Sequence, residues 1–211
     1  MRAIGALAQC MAARASARGE PVALLDSAAQ AKVLRRAENG ARRAAVLVPI
    51  VSVGGEASVV LSVRSGKVST HRHQVSFPGG HIESGETAIE AAFREAAEEF
   101  GGNFREGFAR VDSCTDVLAV TGTVVTPIVA VRDDDLALDA IHPNEEVDTI
   151  FALSIAHLLD EQNRELKRFD HRGEMPVFHG GPAPVWGLTA FILDGVLNHV
   201  VRPCWDDYDD R

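Results

Sequence analysis

The chain has 211 residues, 46% of them hydrophobic and 24% charged, which suits one globular domain with a full core plus terminal decoration. A formal net charge of −9 argues against a general nucleic-acid binder, because phosphate backbones attract basic surfaces, yet it admits an anionic small molecule whose binding cations mediate. No run reaches the roughly 18 apolar residues that a membrane-spanning helix needs, so no membrane span is expected.

In chain order, the first nineteen residues are rich in Ala and Arg and hold no acid. A targeting segment and an ordinary N-terminal helix both fit that composition. From Asp26 to Glu38 good helix formers run up to Asn39-Gly40, a stop signal, and the domain proper is expected to begin just after it. The boundaries drawn are a helical segment over 1–42, a domain over 43–201 and an acidic tail over 202–211. "AAVLVPIVSV" and "ASVVLSVRS", parted by Gly54-Gly55-Glu56, read as a hairpin, and "CTDVLAVTGTVVTPIVAVR" as a second pair turning near Gly122. "VDTIFAL" reads as a strand, "SIAHLLD" as a short helix. Val185, Leu188, Ile192, Val196 and Val200 recur at helical spacing. The tail "WDDYDDR" reads as solvated. Strands and helices in irregular order point to an α/β or α+β sandwich with a mixed sheet. Cys10, Cys114 and Cys204 are far apart and odd in number, so neither a disulfide framework nor a CxxC metal site is expected, and a reducing compartment is the simpler reading.

The stretch from Glu86 to Glu99 holds five glutamates and one arginine. If Thr87 to Phe100 is helical, Ile89, Ala92, Phe93, Ala96, Ala97 and Phe100 form the stripe that packs on the sheet. Glu95, Glu98 and Glu99 then share an adjacent face, near a helix C-terminus where the macrodipole disfavours negative charge. Each like-charge pair costs about 0.2–0.5 kcal/mol in an isolated helix. A bound hard cation relieves that repulsion, and Mg²⁺ in particular uses a few carboxylates with water and substrate phosphate. The plain alternative is a solvated acidic face.

Spacing decides between them. Gly80, five residues, Glu86, seven residues, Arg94-Glu95, two residues, Glu98-Glu99, one residue and Gly101 closely resembles the Nudix box, with Ala96 smaller than usual and Gly102 in place of a bulky residue. The resemblance implies a Nudix-type α/β/α sandwich whose helix holds Mg²⁺ or Mn²⁺ and whose reaction cleaves a nucleoside diphosphate linked to another group. It also implies Glu95, Glu98 and Glu99 as metal carboxylates, Glu86 and Arg94 as braces of the loop, and Gly79 and Gly80 as the tight turn.

Upstream, Arg64, Ser65, His71, Val75, Phe77, Pro78, Gly79 and Gly80 resemble the extra signature of the coenzyme A pyrophosphatases, with His73 where that group usually has Gly. The implied substrate is coenzyme A or acyl-coenzyme A. Another nucleotide such as ADP-ribose or a dinucleoside polyphosphate, or a non-catalytic binding module, stays open. Arg64, Ser65, Lys67, His71 and Phe77 are the expected substrate contacts, since cationic groups beside a metal loop hold phosphates and Arg does so bidentately. Arg64 and Lys67 also fit ordinary surface charges. His71, His73 and His81 lack the spacing and fourth ligand of a zinc site. Trp186 reads as core. The general base is open among Glu98, Glu99, Glu145 and Glu146, and a monomer and a homodimer are both compatible with the chain. A cytoplasmic or mitochondrial location, reducing and not secreted, is expected from the cysteine usage and the Ala/Arg-rich, acid-free first nineteen residues.

Overall fold

The computed structural model describes residues 4–66, 73–169 and 173–209. Strand β1 (Arg43–Val53) runs through the centre of the sheet. Its residues Ala44, Val48 and Ile50 enter one apolar cluster, and Ala45, Leu47 and Val51 enter another. Both faces of the strand are therefore covered, which is why it reads as a nearly continuous apolar run. It pairs in parallel with β7 (Val124–Asp135) and antiparallel with β2 (Glu56–Arg64). The sheet of eight strands runs β3 (Val75–Ser76), β2, β1, β7, β5 (Phe108–Ser113). Off that path, β4 (Gly79–His81) pairs with β1, β6 (Val117–Leu118) with β7, and β8 (Val147–Ser154) with β2.

The opening of this sheet is written in β1. Residues 44–46 pair with β4 and residues 50–53 with β2, and Pro49 lies between the two sets. Its missing N–H faces the gap where no ladder bond is required. Beyond that gap β2 is no longer paired with β1 and runs on beside β8, with β3 on its other edge, to Arg64.

One helical layer is α3 (Ala88–Phe100), whose Ala91, Ala92, Phe93, Ala96 and Phe100 enter the second cluster. The other holds α1 (Ile4–Arg18) and α5 (Gly187–Val196), whose Leu7, Met11, Ile192 and Leu193 enter the first. The mixed sheet between two helical layers is the α/β/α sandwich expected. The Gly54-Gly55 hairpin, the turn at Gly122, the strand β8 and the short helix α4 (Ile155–Leu159) are found where the sequence placed them. So is α2 (Ser27–Glu38), capped by the Asp26 side chain accepting from Ala29 N at 2.8 Å.

Residues of the acidic tail form the helix α6 (Arg202–Asp209), with Cys204 buried in it. Three expectations require correction. Trp186 is not core: it is 42% exposed and stacks on Phe169 with ring centroids 6.1 Å apart. Strand β5 and the hairpin of β9 (Arg164–Phe169) and β10 (Gly173–Phe178) were not anticipated, because their short, charge-rich sequences carry little periodicity. Finally, Cys10 and Cys204, 194 residues apart, form a disulfide with Cα atoms 5.9 Å apart, because α1 and α6 meet in the fold. The cysteine spacing therefore gives no ground for a reducing compartment.

A disulfide closing so long a loop is expected to add about 2–4 kcal/mol. Denaturant unfolding with and without reductant measures it, and identical midpoints would show that the two thiols are not paired in solution. In the folded chain the third cysteine, Cys114, is buried and its thiol is pushed up to about 12, chiefly by that burial.

Candidate active site

Strand β4 presents the loop that precedes α3. Gly79 and Gly80 pair with Val46 and Ala45, and each glycine is needed for a close approach. A Cβ on Gly79 would run into Ala45 O and stand 2.7 Å from Val46 Cα; one on Gly80 would stand 2.5 Å from the carboxyl carbon of Glu95. The carboxylate of Glu95 thus lies against bare backbone. Helix α3 then starts on a capping box: Thr87 Oγ1 accepts from Glu90 N at 3.2 Å, and Thr87 N donates to Glu90 Oε2 at 2.8 Å. Glu90 is accordingly a structural glutamate.

Arg94 ties the loop to the helix. Its Nε donates to Glu86 Oε1 at 2.9 Å, Nη2 to Glu86 Oε2 at 3.1 Å and to His81 O at 3.0 Å, and Nη1 to Glu95 Oε1 at 3.0 Å. The same Nη1 stands 3.4 Å from Glu98 Oε1. The fork explains the spacing of the motif: one planar cation grips a glutamate eight residues back and still faces the next two acids. It holds the Glu86 carboxyl below its usual range.

The three metal-candidate glutamates differ sharply in surroundings. Glu98 is exposed and Glu95 is mostly shielded, with its pKa raised by desolvation against the pull of Arg94. Glu99 is only 4% exposed, and burial, with help from Glu95 and Glu146 and against Arg64, pushes it up to about 8. The apolar stripe is therefore shifted from expectation: Glu99 lies in the packed face, while Ile89 is 36% exposed.

Arg64 comes to the same place from the end of β2, with Nη1 3.6 Å from Glu99 Oε1 and Nη2 3.7 Å from Glu146 Oε2. Glu146 arrives on the loop before β8, which is anchored at both ends: Asn144 N donates to Glu99 O at 2.9 Å and Ser65 N to Glu146 O at 2.7 Å. Gly101 ends α3 with φ at +97°, and an added Cβ would stand 3.3 Å from His142 O, so the loop packs directly on the helix terminus. The fold thus brings together Arg64, Ser65, Gly79, Gly80, Glu86, Arg94, Glu95, Glu98, Glu99, Gly101 and Glu146. Glu145 is beside them, exposed. Phe77 is packed in the core, 4% exposed, and supports the loop from beneath instead of facing a ligand. Lys67 and His71 lie outside the described residues.

Among the described residues no three carboxylate, imidazole or thiol groups converge closely enough to share a cation as they are placed. The reason is visible in the ion pairs, since Arg94 and Arg64 occupy the cationic positions between the acids. The donor set still fits a hard divalent ion. Among the described residues Glu99 Oε2 is buried with no hydrogen-bond partner, a costly state for a carboxylate oxygen and one that cation coordination relieves. All-oxygen donors of this kind suit Mg²⁺ or Mn²⁺.

The family model described as the NUDIX domain matches residues 41–172, which include every strand from β1 to β9. The chain belongs to the Nudix family. Among its Nudix relatives, human "Mitochondrial coenzyme A diphosphatase NUDT8" is 38% identical over 165 residues, covering 73% of this chain and 67% of that protein. The mouse protein of the same description is 36% identical over 175 residues, covering 79% and 82%. "Nudix hydrolase 3" of Caenorhabditis elegans is 34% identical over 172 residues, covering 72% and 70%. Sequence reasoning missed two parts of this Nudix site. One is Arg64 as the counter-ion of Glu99, which no local pattern reveals; the other is Asn144, whose place two residues before Glu146 is an Asx-turn signal.

Proposed function

We propose that the chain is a divalent-metal-dependent diphosphatase that hydrolyses coenzyme A or acyl-coenzyme A to 4′-phosphopantetheine, or its acyl form, and adenosine 3′,5′-bisphosphate. The observation that carries the metal-dependent chemistry is the buried Glu99 carboxylate with one unpartnered oxygen beside Glu95 and Glu98. The relatives described as coenzyme A diphosphatases, at 36–38% identity, support the substrate. They also favour a mitochondrial setting over a cytoplasmic one. No described helix is long and apolar enough to cross a membrane.

Mg²⁺ or Mn²⁺ held by Glu95, Glu98 and Glu99 supplies charge neutralisation of the diphosphate and a lowered pKa for water. The chain's own residues do the rest. Arg94 and Glu86 fix the loop so that Gly79 and Gly80 present bare backbone to the diphosphate. Glu146, exposed and facing the cluster, takes the proton of the attacking water as general base. Arg64 offers the substrate phosphates a guanidinium once a cation satisfies Glu99. A panel of coenzyme A, acyl-coenzyme A, ADP-ribose and dinucleoside polyphosphates with each metal, scored by product mass, tests the reading. ADP-ribose turned over with kcat/KM well above that of coenzyme A and its thioesters would overturn the substrate and leave the family.

Arg64→Ala is expected to raise KM for coenzyme A about tenfold, the scale of one lost charge-assisted contact. Dephospho-coenzyme A should be affected less if the contact is to the 3′-phosphate. Equal losses on both would place the work of Arg64 on the shared diphosphate or in support of Glu99 and Glu146, where its guanidinium rests in this structure.

A further inference from the structure

We propose that Asn144 is a positioning residue that fastens Glu146 to the metal-site helix; this rests on the diphosphatase reading, in which Glu146 is the base. Glu146 is a poor candidate for precision on its own. Its side chain is 58% exposed and, among the described residues, its cationic partner Arg64 Nη2 is 3.7 Å away, too long for a firm hydrogen bond. The aim of that carboxylate must therefore be set by the backbone that carries it.

One residue ties that backbone to the acids of α3. Asn144 N donates to Glu99 O at 2.9 Å, its side-chain Oδ1 accepts from Glu146 N at 2.9 Å, and its carbonyl accepts from Val147 N at 3.3 Å. The carbonyl of Glu146 accepts from Ser65 N at 2.7 Å. Glu146 is thus held on one side by the end of β2 and on the other by a side chain whose own backbone is bonded to the metal-ligand candidate Glu99. Pro143, with φ fixed by its ring, stiffens the approach. Every other bond in this chain of contacts is between backbone groups and survives any substitution except proline. The Asn144 Oδ1 bond is the link that sequence controls.

A misplacement of about 1 Å in a reacting group can cost about a hundredfold in rate, so loss of this link, with the backbone bonds retained, is expected to lower kcat of N144A about tenfold. KM for coenzyme A should stay within about twofold, because Asn144 binds no substrate, and amide hydrogen exchange at Glu146 should accelerate without a fall in melting temperature. N144S, whose hydroxyl makes the same turn bond more weakly, should recover part of kcat and part of the protection. All measurements use the full chain with Mg²⁺ and coenzyme A, the exchange without substrate. Unchanged kcat, unchanged exchange at Glu146, or a serine variant no better than alanine overturns the positioning role. If N144A does not fold, N144S decides alone, and values equal to wild type overturn it. A wild-type chain that turns over no member of the substrate panel fails the diphosphatase reading itself, whereas wild-type turnover with an unaffected N144A fails only the role of Asn144.

Discussion

Glu98→Gln and Glu99→Gln should each lower kcat/KM by about two to three orders of magnitude, the scale of losing one charge-stabilising group from a diphosphate site. The substitutions keep shape and remove charge, so the two variants should fold, and circular dichroism checks that. Their surroundings separate them. Glu98 is exposed, and its removal leaves Arg94 with Glu86 and Glu95. Glu99 is buried, and its removal leaves Arg64 with the exposed Glu146 as its acidic partner among the described residues. Saturating metal should rescue neither. Wild-type turnover of either variant would remove that glutamate from the site, and loss confined to Glu99 would mean that Glu98 is only a solvated face.

The motif helix was legible because local rules agree along it. Thr87 and Glu90 form its cap, the aliphatic stripe gives its packing face, and the Arg94 to Glu86 spacing fixes the loop. Its rotation was misjudged by a small angle with a large chemical consequence. Ala92, Ala96 and Glu99 are separated by four and three residues, so Glu99 stands in the stripe by spacing, but a carboxylate is read by default as solvent-facing. What remained illegible is long-range. Arg64 meets Glu99, Ser65 meets Glu146 and Asn144 meets Glu99 only because β2, β8 and α3 end at one place. No pattern within a window of twenty residues contains those contacts. The same holds at the termini, where Cys10 and Cys204 meet because α1 packs into the core and against α6.

The buried state of Glu99 makes stability depend on pH in a direction opposite to that of an ordinary paired carboxylate. Its folded pKa is raised to about 8 from the ordinary glutamate value of 4.5, mainly by burial, so the folded chain binds its proton more tightly than the unfolded chain does. The contribution is fully present below about pH 4.5 and is lost as pH rises towards about 8, an effect of the order of a few kcal/mol. In a chelating buffer the melting temperature of wild type should therefore fall across that window relative to Glu99→Gln, which has no proton to lose. Other groups titrate in both proteins, so the difference between the two profiles is the measurement. Mg²⁺ or Mn²⁺ should reverse the trend, because a cation binds the deprotonated carboxylate and stabilises the folded state by mass action, most strongly at high pH. Parallel profiles for wild type and Glu99→Gln in chelator would show that Glu99 is solvated. A metal-induced rise of equal size in both would place the cation elsewhere.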